Sequence, residues 1–244
     1  MKLGNVSDLG PVTVVSPHLD DAVLSCAGLI AGVPGTTVVT VFAGVPPARD
    51  PATPAEFLPG STSWDQASGF SQGDDVVGMR RAEDRAALAH LGAVPRWLDF
   101  LDSQYVVEPG ESATPAQIAT RIREALGELR SATIAFPLGL SHTDHERTHE
   151  ACVLLLQESP TVVTNWIAFV DVPYRELHRA QAELRLDRLR ELGYDLEPLS
   201  FDIGAQKAAA LEEYPSQLKA LAVAVANAAL PEECYLLRAH GGLS

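Results

Sequence analysis

The chain of 244 residues is predicted to fold as a doubly wound, Rossmann-like α/β domain, its mainly parallel sheet covered by helices on both faces. Three observations predict this. Continuous apolar runs alternate with helical patterns almost throughout, as expected for strands buried on both faces between crossover helices. The length suits one large domain, residues 1–244, with enough buried surface to need no staples. A composition of 46% hydrophobic and 20% charged residues is that of an ordinary globular protein.

The elements follow in chain order. β-rich apolar runs predict strands at Val12–Ser16, 37–42, 96–101, Thr133–Pro137, 165–172, 196–203 and 235–238. Helical patterns fill about 20–32, 76–91, 115–130, 145–157, 174–192 and 205–229. The third helix has a clear start signal: Thr114 at the N-cap, Pro115 at the first helical position and Gln117 closing a capping box. Residues 45–75 break the rhythm, being rich in Pro, Gly, Ser and Asp and without periodicity. Loops of this length in compact domains are usually functional or disordered. With Trp64 and Phe70 in it, this one reads as a partly ordered lid over an active site. There are no internal repeats and no sign of a second domain.

Charge and cysteine content narrow the function. A formal charge of −14 argues against binding duplex nucleic acid, whose phosphates an acidic surface repels. Cys26, Cys152 and Cys234 show no C-x-x-C spacing, which fits a reduced compartment and thiols packed as small hydrophobes. The opening MKLGNVSDLG has no apolar segment of signal-peptide type. The longest apolar stretch, 22–33, is too short to span a bilayer. A cytoplasmic enzyme without membrane insertion is expected; a homo-oligomer stays open.

A doubly wound sheet binds ligands beyond the carboxyl ends of its strands. No Gly-x-Gly-x-x-Gly follows the first strand, so a dinucleotide is not expected there. The segment SPHLDD, residues 16–21, takes that place. Burying charge is costly unless it is paired or bound to metal. His18 and Asp21, three positions apart across a strand-to-helix bend, can aim at one spot, and imidazole and carboxylate are both good zinc ligands. A third ligand should come from another strand end, and SHTDHERTH, residues 141–149, follows the strand ending at Pro137. The bland alternative is that Asp20 and Asp21 merely cap a helix, which leaves His18 unexplained. A second alternative is the zinc-protease motif H-E-x-x-H, spelled by His145, Glu146 and His149. That reading leaves His18, Asp20, Asp21, His142 and Asp144 idle. His149 reads more simply as a helix-face residue, Cys152 and Cys26 as core, and Arg80 either as a substrate-binding residue at the site rim or as a partner of Glu83 or Asp84.

SPHLDD and HTDH, residues 142–145, together resemble the paired motifs, usually H-P-D-D-E and H-P-D-H, of the LmbE-like (PIG-L) family of zinc-dependent N-acetylglucosaminyl deacetylases. Arg80-x-x-Glu83 with Ala87, Leu91 and Gly92 is similar to the family's next helix. Trp64-Asp65 with Gly69-Phe70 resembles the lid of one of its branches. Asp171-x-Pro173-Tyr174 and Tyr214-x-Ser216-Gln217 resemble its later segments. Each motif is short; their order along nearly the whole chain makes the set specific. Leu19 and Thr143 stand where the family usually has proline, and Ala22 where it has Glu.

The resemblance implies a Rossmann-like deacetylase with one zinc, or another divalent cation, held by His18, Asp21 and His145. It implies Asp20 as general base and His142 as acid or oxyanion stabiliser, protonated in that role. Asp144, Arg80, Trp64 and Asp65 would orient an imidazole or bind substrate. The implied reaction removes an acyl group, most simply acetyl, from the nitrogen of a small amino-sugar conjugate. The rivals are the metalloprotease and a non-catalytic sugar-binding relative.

Overall fold

The computed structural model describes residues 9–47, 53–158, 163–172, 174–201, 204–221 and 232–240. Seven strands form one sheet: β1 (Val12–Ser16), β2 (Thr37–Thr40), β3 (Val94–Trp97), β4 (Thr133–Pro137), β5 (Asn165–Phe169), β6 (Tyr194–Leu199) and β7 (Cys234–Ala239). Their order across the sheet is β3-β2-β1-β4-β5-β7-β6. The first five run parallel, and β7 lies antiparallel to both β5 and β6. The predicted mainly parallel architecture is therefore found. Eight α-helices are seen among the described residues: α1 (Asp21–Gly32), α2 (Ser63–Ser68), α3 (Val76–His90), α4 (Pro115–Leu129), α5 (Thr143–Glu158), α6 (Arg179–Glu191), α7 (Gly204–Glu212) and α8 (Pro215–Ala220).

Successive side chains of a strand point to opposite faces, and here neighbouring residues enter different cores. Val15, Val39, Ile134 and Phe136 join Ile118, Ile122, Leu155 and Leu186 under α4, α5 and α6. Val14, Val38, Ala135 and Ile167 join Val23, Leu29, Ile30 and Leu88 under α1 and α3. Both faces being buried, the central strands can be apolar throughout. The chain leaves β1 toward β2 on one side and returns to β4 on the other. That reversal opens a crevice beyond the carboxyl ends of β1 and β4, where a doubly wound sheet places its ligand.

Several boundaries differ from the sequence expectation, each for a local reason. The strand expected at 96–101 is β3, shifted to 94–97. As an edge strand it alternates exposed and half-buried residues, while the apolar residues after Trp97 belong to a loop running toward the crevice. The helix expected at 205–229 breaks before Pro215, which starts α8; proline cannot continue a helix. Its continuation from 222, like Ile203, Pro173 and residues 48–52 of the 45–75 segment, lies outside the described residues. The 174–192 helix begins only at Arg179, because 174–178 form turns anchored by the Asp171 carbonyl, which accepts from the N–H groups of Tyr174 and Arg175. The 45–75 segment contains α2, which is too short and polar to show periodicity. Thr62 caps it by accepting from the Asp65 N–H at 3.0 Å, and Gly69, at φ +98°, ends it. None of the described helices is long and apolar enough to cross a membrane.

On α3, Asp84 is buried and accepts from Trp97 Nε1 at 2.8 Å and Tyr214 Oη at 3.0 Å. Burial pushes its carboxyl up to about 7, although both hydrogen bonds pull the other way. The unfolded chain therefore loses this proton near the ordinary value of 3.8, while the folded chain keeps it up to about 7. Between those values the folded state binds more protons, and its stability falls as pH rises. Asp84→Asn copies the protonated carboxyl, so the variant should gain stability relative to wild type from pH 4 to pH 8. Unfolding midpoints of the two proteins across that range measure the difference.

Candidate metal centre and active site

The turn after β1 is held open by backbone pairing. The N–H groups of Val41 and Phe42 donate to the carbonyls of Ser16 and Pro17, at 2.9 Å each. Ser16 Oγ donates to the His18 carbonyl at 2.7 Å and accepts from the Ala22 N–H at 3.1 Å. His18 is thereby lifted over the end of the sheet, and Asp21 stands in the first turn of α1. Asp20 precedes that helix, yet its side chain makes no capping hydrogen bond. Asp21 Oδ2 instead accepts from the His18 backbone N–H at 2.9 Å. Simple capping therefore does not explain the two aspartates.

Opposite, the turn after β4 needs Gly139 at φ +73°, where a Cβ would come within 2.5 Å of the His149 Cβ and 2.8 Å of the His145 carbonyl. This close approach swings α5 back over the crevice and delivers His145. Its Nδ1 lies 2.5 Å from Asp171 Oδ1, and Asp171 Oδ2 accepts from the Gly139 N–H at 2.9 Å. Asp171 thus fixes both the imidazole and the turn that carries it.

The three predicted ligands meet. His18, Asp21 and His145 each offer a donor atom within 4.8 Å of the other two. Asp21 Oδ2 lies 3.3 Å from His18 Nδ1 and 3.2 Å from His145 Nε2. His145 Nε2 is fully buried and, although 3.2 Å from that oxygen, has no hydrogen-bond partner among the described residues. A buried nitrogen lone pair or N–H left in this way is costly, and a cation between the three side chains would satisfy it. The donor set, two imidazoles and a carboxylate, matches an open catalytic zinc site. Without a cation, protons do the pairing. Burial opposes charge on both histidines, but Asp144 and Asp21 hold His18 well above its ordinary value, and Asp21 and Asp171 lift His145 to about 9. Burial also disfavours charge on Asp21, yet His145 and His18 keep its carboxyl well below the usual range.

Around this centre, Asp144 Oδ2 lies 3.3 Å from His18 Nε2 and accepts from the Ser103 N–H at 2.9 Å. Its Oδ1 accepts from Arg147 at 3.1 Å. Burial works against its charge, but the bond to His18 brings its carboxyl down to about 2. His18, His142 and Asp144 form a second donor group sharing His18. The same carboxylate that would orient the ligand imidazole also borders His142, 4.0 Å away.

Asp20 and His142 line the pocket beside the three ligands. Burial and the neighbouring Asp21 charge raise Asp20 to about 7. Burial, with His18 nearby, lowers His142 to about 4. In this state His142 is neutral rather than the protonated residue the sequence reading expects. Its Nδ1 accepts from the Asp144 N–H at 3.3 Å, which leaves Nε2 as the protonated nitrogen.

The H-E-x-x-H alternative comes apart. His149 turns away from the centre, with Nδ1 2.9 Å from the Pro137 carbonyl and its ring against Phe136. Burial lowers its pKa to about 4. Glu146 accepts from Gln181 at 2.9 Å. Cys152 is buried core and Cys26 is buried as well.

Trp64 and Arg80 also line the pocket, whereas Asp65 lies fully buried behind it. Asp65 pairs with Arg80 at 3.0 Å and accepts from Tyr105 Oη at 3.0 Å and the Gly60 N–H at 2.8 Å. Arg80 donates to Ser68 Oγ at 3.2 Å and stacks over Phe70. Its Nε has no hydrogen-bond partner among the described residues. The partners expected for Arg80 are engaged elsewhere: Glu83 holds Ser216 through Oγ and N–H, and Asp84 holds Trp97 and Tyr214. The sequence reading assigned no role to Asp171, Tyr174 or Gln217, although it quoted all three. Asp171 stands just past the carboxyl end of β5, so the strand-end rule could have found it. Gln217 follows a helix break far from any strand end and carries no such signal.

The sequence matches the family described as PIG-L, GlcNAc-PI de-N-acetylase, over residues 13–156. No curated protein resembles it closely enough to count as a match. Among solved structures, the pseudoaglycone deacetylase Dbv21 is 28% identical with a TM-score of 0.72, covering 97% of this chain and 100% of its own. A deacetylase from teicoplanin biosynthesis, solved with teicoplanin, is 27% identical with a TM-score of 0.71, covering 96% and 100%. The N,N'-diacetylchitobiose deacetylase of Pyrococcus horikoshii shares the fold at 16% identity and a TM-score of 0.51, covering 90% and 74%.

Residues that orient a ligand imidazole typically contribute 10–100-fold to metal affinity. Asp171→Asn, which keeps the shape but removes the charge facing His145, should weaken zinc binding by about tenfold or more. Competition against a chromogenic chelator, with metal-free protein, measures this.

Proposed function

The chain belongs to the PIG-L, GlcNAc-PI de-N-acetylase, family, and from that membership and its site we propose that it is a zinc-dependent hydrolase removing an N-acyl group, most simply acetyl, from an amino-sugar conjugate. The observation that carries this reading is the convergence of His18, Asp21 and His145 at the point where the strand order reverses, with Asp20 free beside them. Those three residues would hold the cation. When bound, it supplies Lewis acidity, making water nucleophilic near neutral pH and polarising the amide carbonyl.

The protein's own residues do the rest. The Asp20 side chain makes no capping hydrogen bond and lines the pocket, so its carboxylate is available to take the proton from the attacking water. A value raised to about 7 lets the same group hold that proton and return it to the departing amine, the match of pKa to operating pH that proton transfer favours. His142, held in the Nε2–H form by the Asp144 N–H, donates toward the oxygen on which charge develops. Asp144 and Asp171 orient the imidazoles of His18 and His145. Arg80, which lines the pocket, offers its guanidinium to a substrate hydroxyl or anionic group, and Trp64, 38% exposed at the rim, offers a flat apolar face to a sugar ring.

The relatives' own substrates suggest the first compounds to test: glycosylated natural products such as teicoplanin and the pseudoaglycone, then diacetylchitobiose and simple N-acetylglucosaminides. The reaction would take place in the cytoplasm, where three buried free thiols persist unoxidised.

Primary-amine release from acylated amino-sugar conjugates, with and without a chelator, tests the activity; release that survives metal removal would refute the zinc reading. Asp20→Asn should keep its metal while kcat falls by about 10²-fold or more. His18→Ala and His145→Ala should lose metal and turnover together. His149→Ala should keep both, and a metal-free His149→Ala protein would restore the protease alternative.

A further inference from the structure

Helix α1, whose first residue is Asp21, is not one regular helix. Cys26 has φ −138° and ψ 16°, far from helical values, so α1 is kinked one turn beyond Asp21. Kinks of this kind have local causes, and one cause is a side chain entering the ladder of peptide hydrogen bonds. In an unbroken helix the Gly28 N–H would bond the Leu24 carbonyl. Here the Gly28 N–H donates to Glu232 Oε2 at 2.9 Å, and the Leu24 carbonyl accepts from Lys207 Nζ at 2.8 Å. Lys207 and Glu232 also pair with each other at 2.8 Å. A buried ion pair, brought from α7 and from the residues before β7, thus occupies the gap in α1. Lys207 is 2% exposed and Glu232 6%.

The break has consequences on both sides of the metal centre. It separates the turn from Asp21 to Ser25 from the rest of the helix and fixes its direction independently. In that turn Ser25 Oγ accepts from the Val172 N–H at 3.1 Å. Val172 follows Asp171, whose carboxylate holds His145 and Gly139. The direction of this one turn therefore touches the ligand Asp21, the base Asp20 beside it, and the segment that supports His145.

We infer that Lys207 and Glu232 are a positioning pair: by taking the peptide groups of Gly28 and Leu24 they hold the first turn of α1 at the angle that brings Asp20 and Asp21 to the metal centre. A buried ion pair is a poor device for stability alone, since apolar residues of similar volume in its place are often neutral or stabilising. Its value here is the angle it imposes. The inference rests on the deacetylase reading for the role of Asp20, but its central measurement, metal affinity, does not.

The test replaces both charges at once, so that neither is left buried and unpaired. In Lys207→Met/Glu232→Met the two peptide groups have only each other to bond, and α1 should straighten. The double variant should unfold at or above the wild-type temperature. Its zinc affinity, measured on metal-free protein by chelator competition, should fall at least tenfold, and kcat should fall at least tenfold with KM changed less than threefold. A pair that merely stabilises the fold would give the reverse, a lowered unfolding temperature with zinc affinity within twofold of wild type, and that result would overturn the inference. If the Met pair does not fold, Lys207→Met/Glu232→Gln keeps an acceptor for the Gly28 N–H and leaves only the Leu24 carbonyl unpaired. Zinc affinity should then fall three- to tenfold, and an unchanged affinity in this variant overturns the inference equally. Should the wild type bind zinc yet release no amine from any acylated sugar, the deacetylase reading fails while the affinity comparison still decides this one.

Discussion

One carboxylate oxygen sets the terms for the whole site. Asp21 Oδ2 accepts the His18 N–H and stands about equally far from His18 Nδ1 and His145 Nε2. Almost no water reaches it. A charge so placed must be met by opposite charge, and the fold supplies two imidazoles from different strand ends. Protons meet that demand only in part, since His145 Nε2 has no hydrogen-bond partner among the described residues. A cation held by His18, Asp21 and His145 would satisfy the nitrogen that protons leave unpaired. The surrounding carboxylates then read as a consistent outer layer, Asp144 behind His18 and Asp171 behind His145, each also bonded to backbone N–H groups that keep it from turning away.

The sheet makes this convergence possible and dictates its location. Only where the chain reverses its direction of travel across the sheet do two adjacent parallel strands send their helices to opposite faces. At β1 and β4 the loops consequently splay apart above the strand ends. Residues 18–21 and 142–145 approach across that gap from opposite sides. Gly139 and the turn at Ser16 provide the sharp bends. The long apolar strands that keep both cores dry do no chemistry themselves. They keep the two loops from drifting, and a metal site tolerates little drift.

Much of this was legible in the sequence because its cause is local or periodic. Strands buried on both faces are apolar along their length, so β1, β4 and β5 stand out; His18, Asp21 and His145 are conspicuous because charge follows directly on such runs. What escaped reading has non-local causes. The tilt of α1 depends on a lysine and a glutamate roughly two hundred residues away, and nothing in DAVLSCAGLIAG announces a break at Cys26. The neutral state of His142 comes from its burial and from His18, not from its neighbours in sequence. Asp65, expected to support the site or bind substrate, is the buried anchor for Arg80 and Tyr105, which only the packing of α2 against the body of the protein reveals.

These connections divide the pocket into two parts with different tolerances. The metal side is tied to the sheet by backbone hydrogen bonds at every turn. The substrate side is assembled around α3: Arg80 projects from it into the pocket, Glu83 grips Ser216, and Asp84 grips Tyr214, which places Gln217 and Leu221 of the α8 segment on the same wall. Asp65 ties Arg80 to α2 and so brings Trp64 to the rim. The substrate wall is thus made of side-chain contacts among helices, with few backbone pairings to the sheet. Changes there would alter which substrate fits while leaving His18, Asp21 and His145 in place. Changes in the first turn of α1, or in the side chains that set its angle, act on the reaction itself.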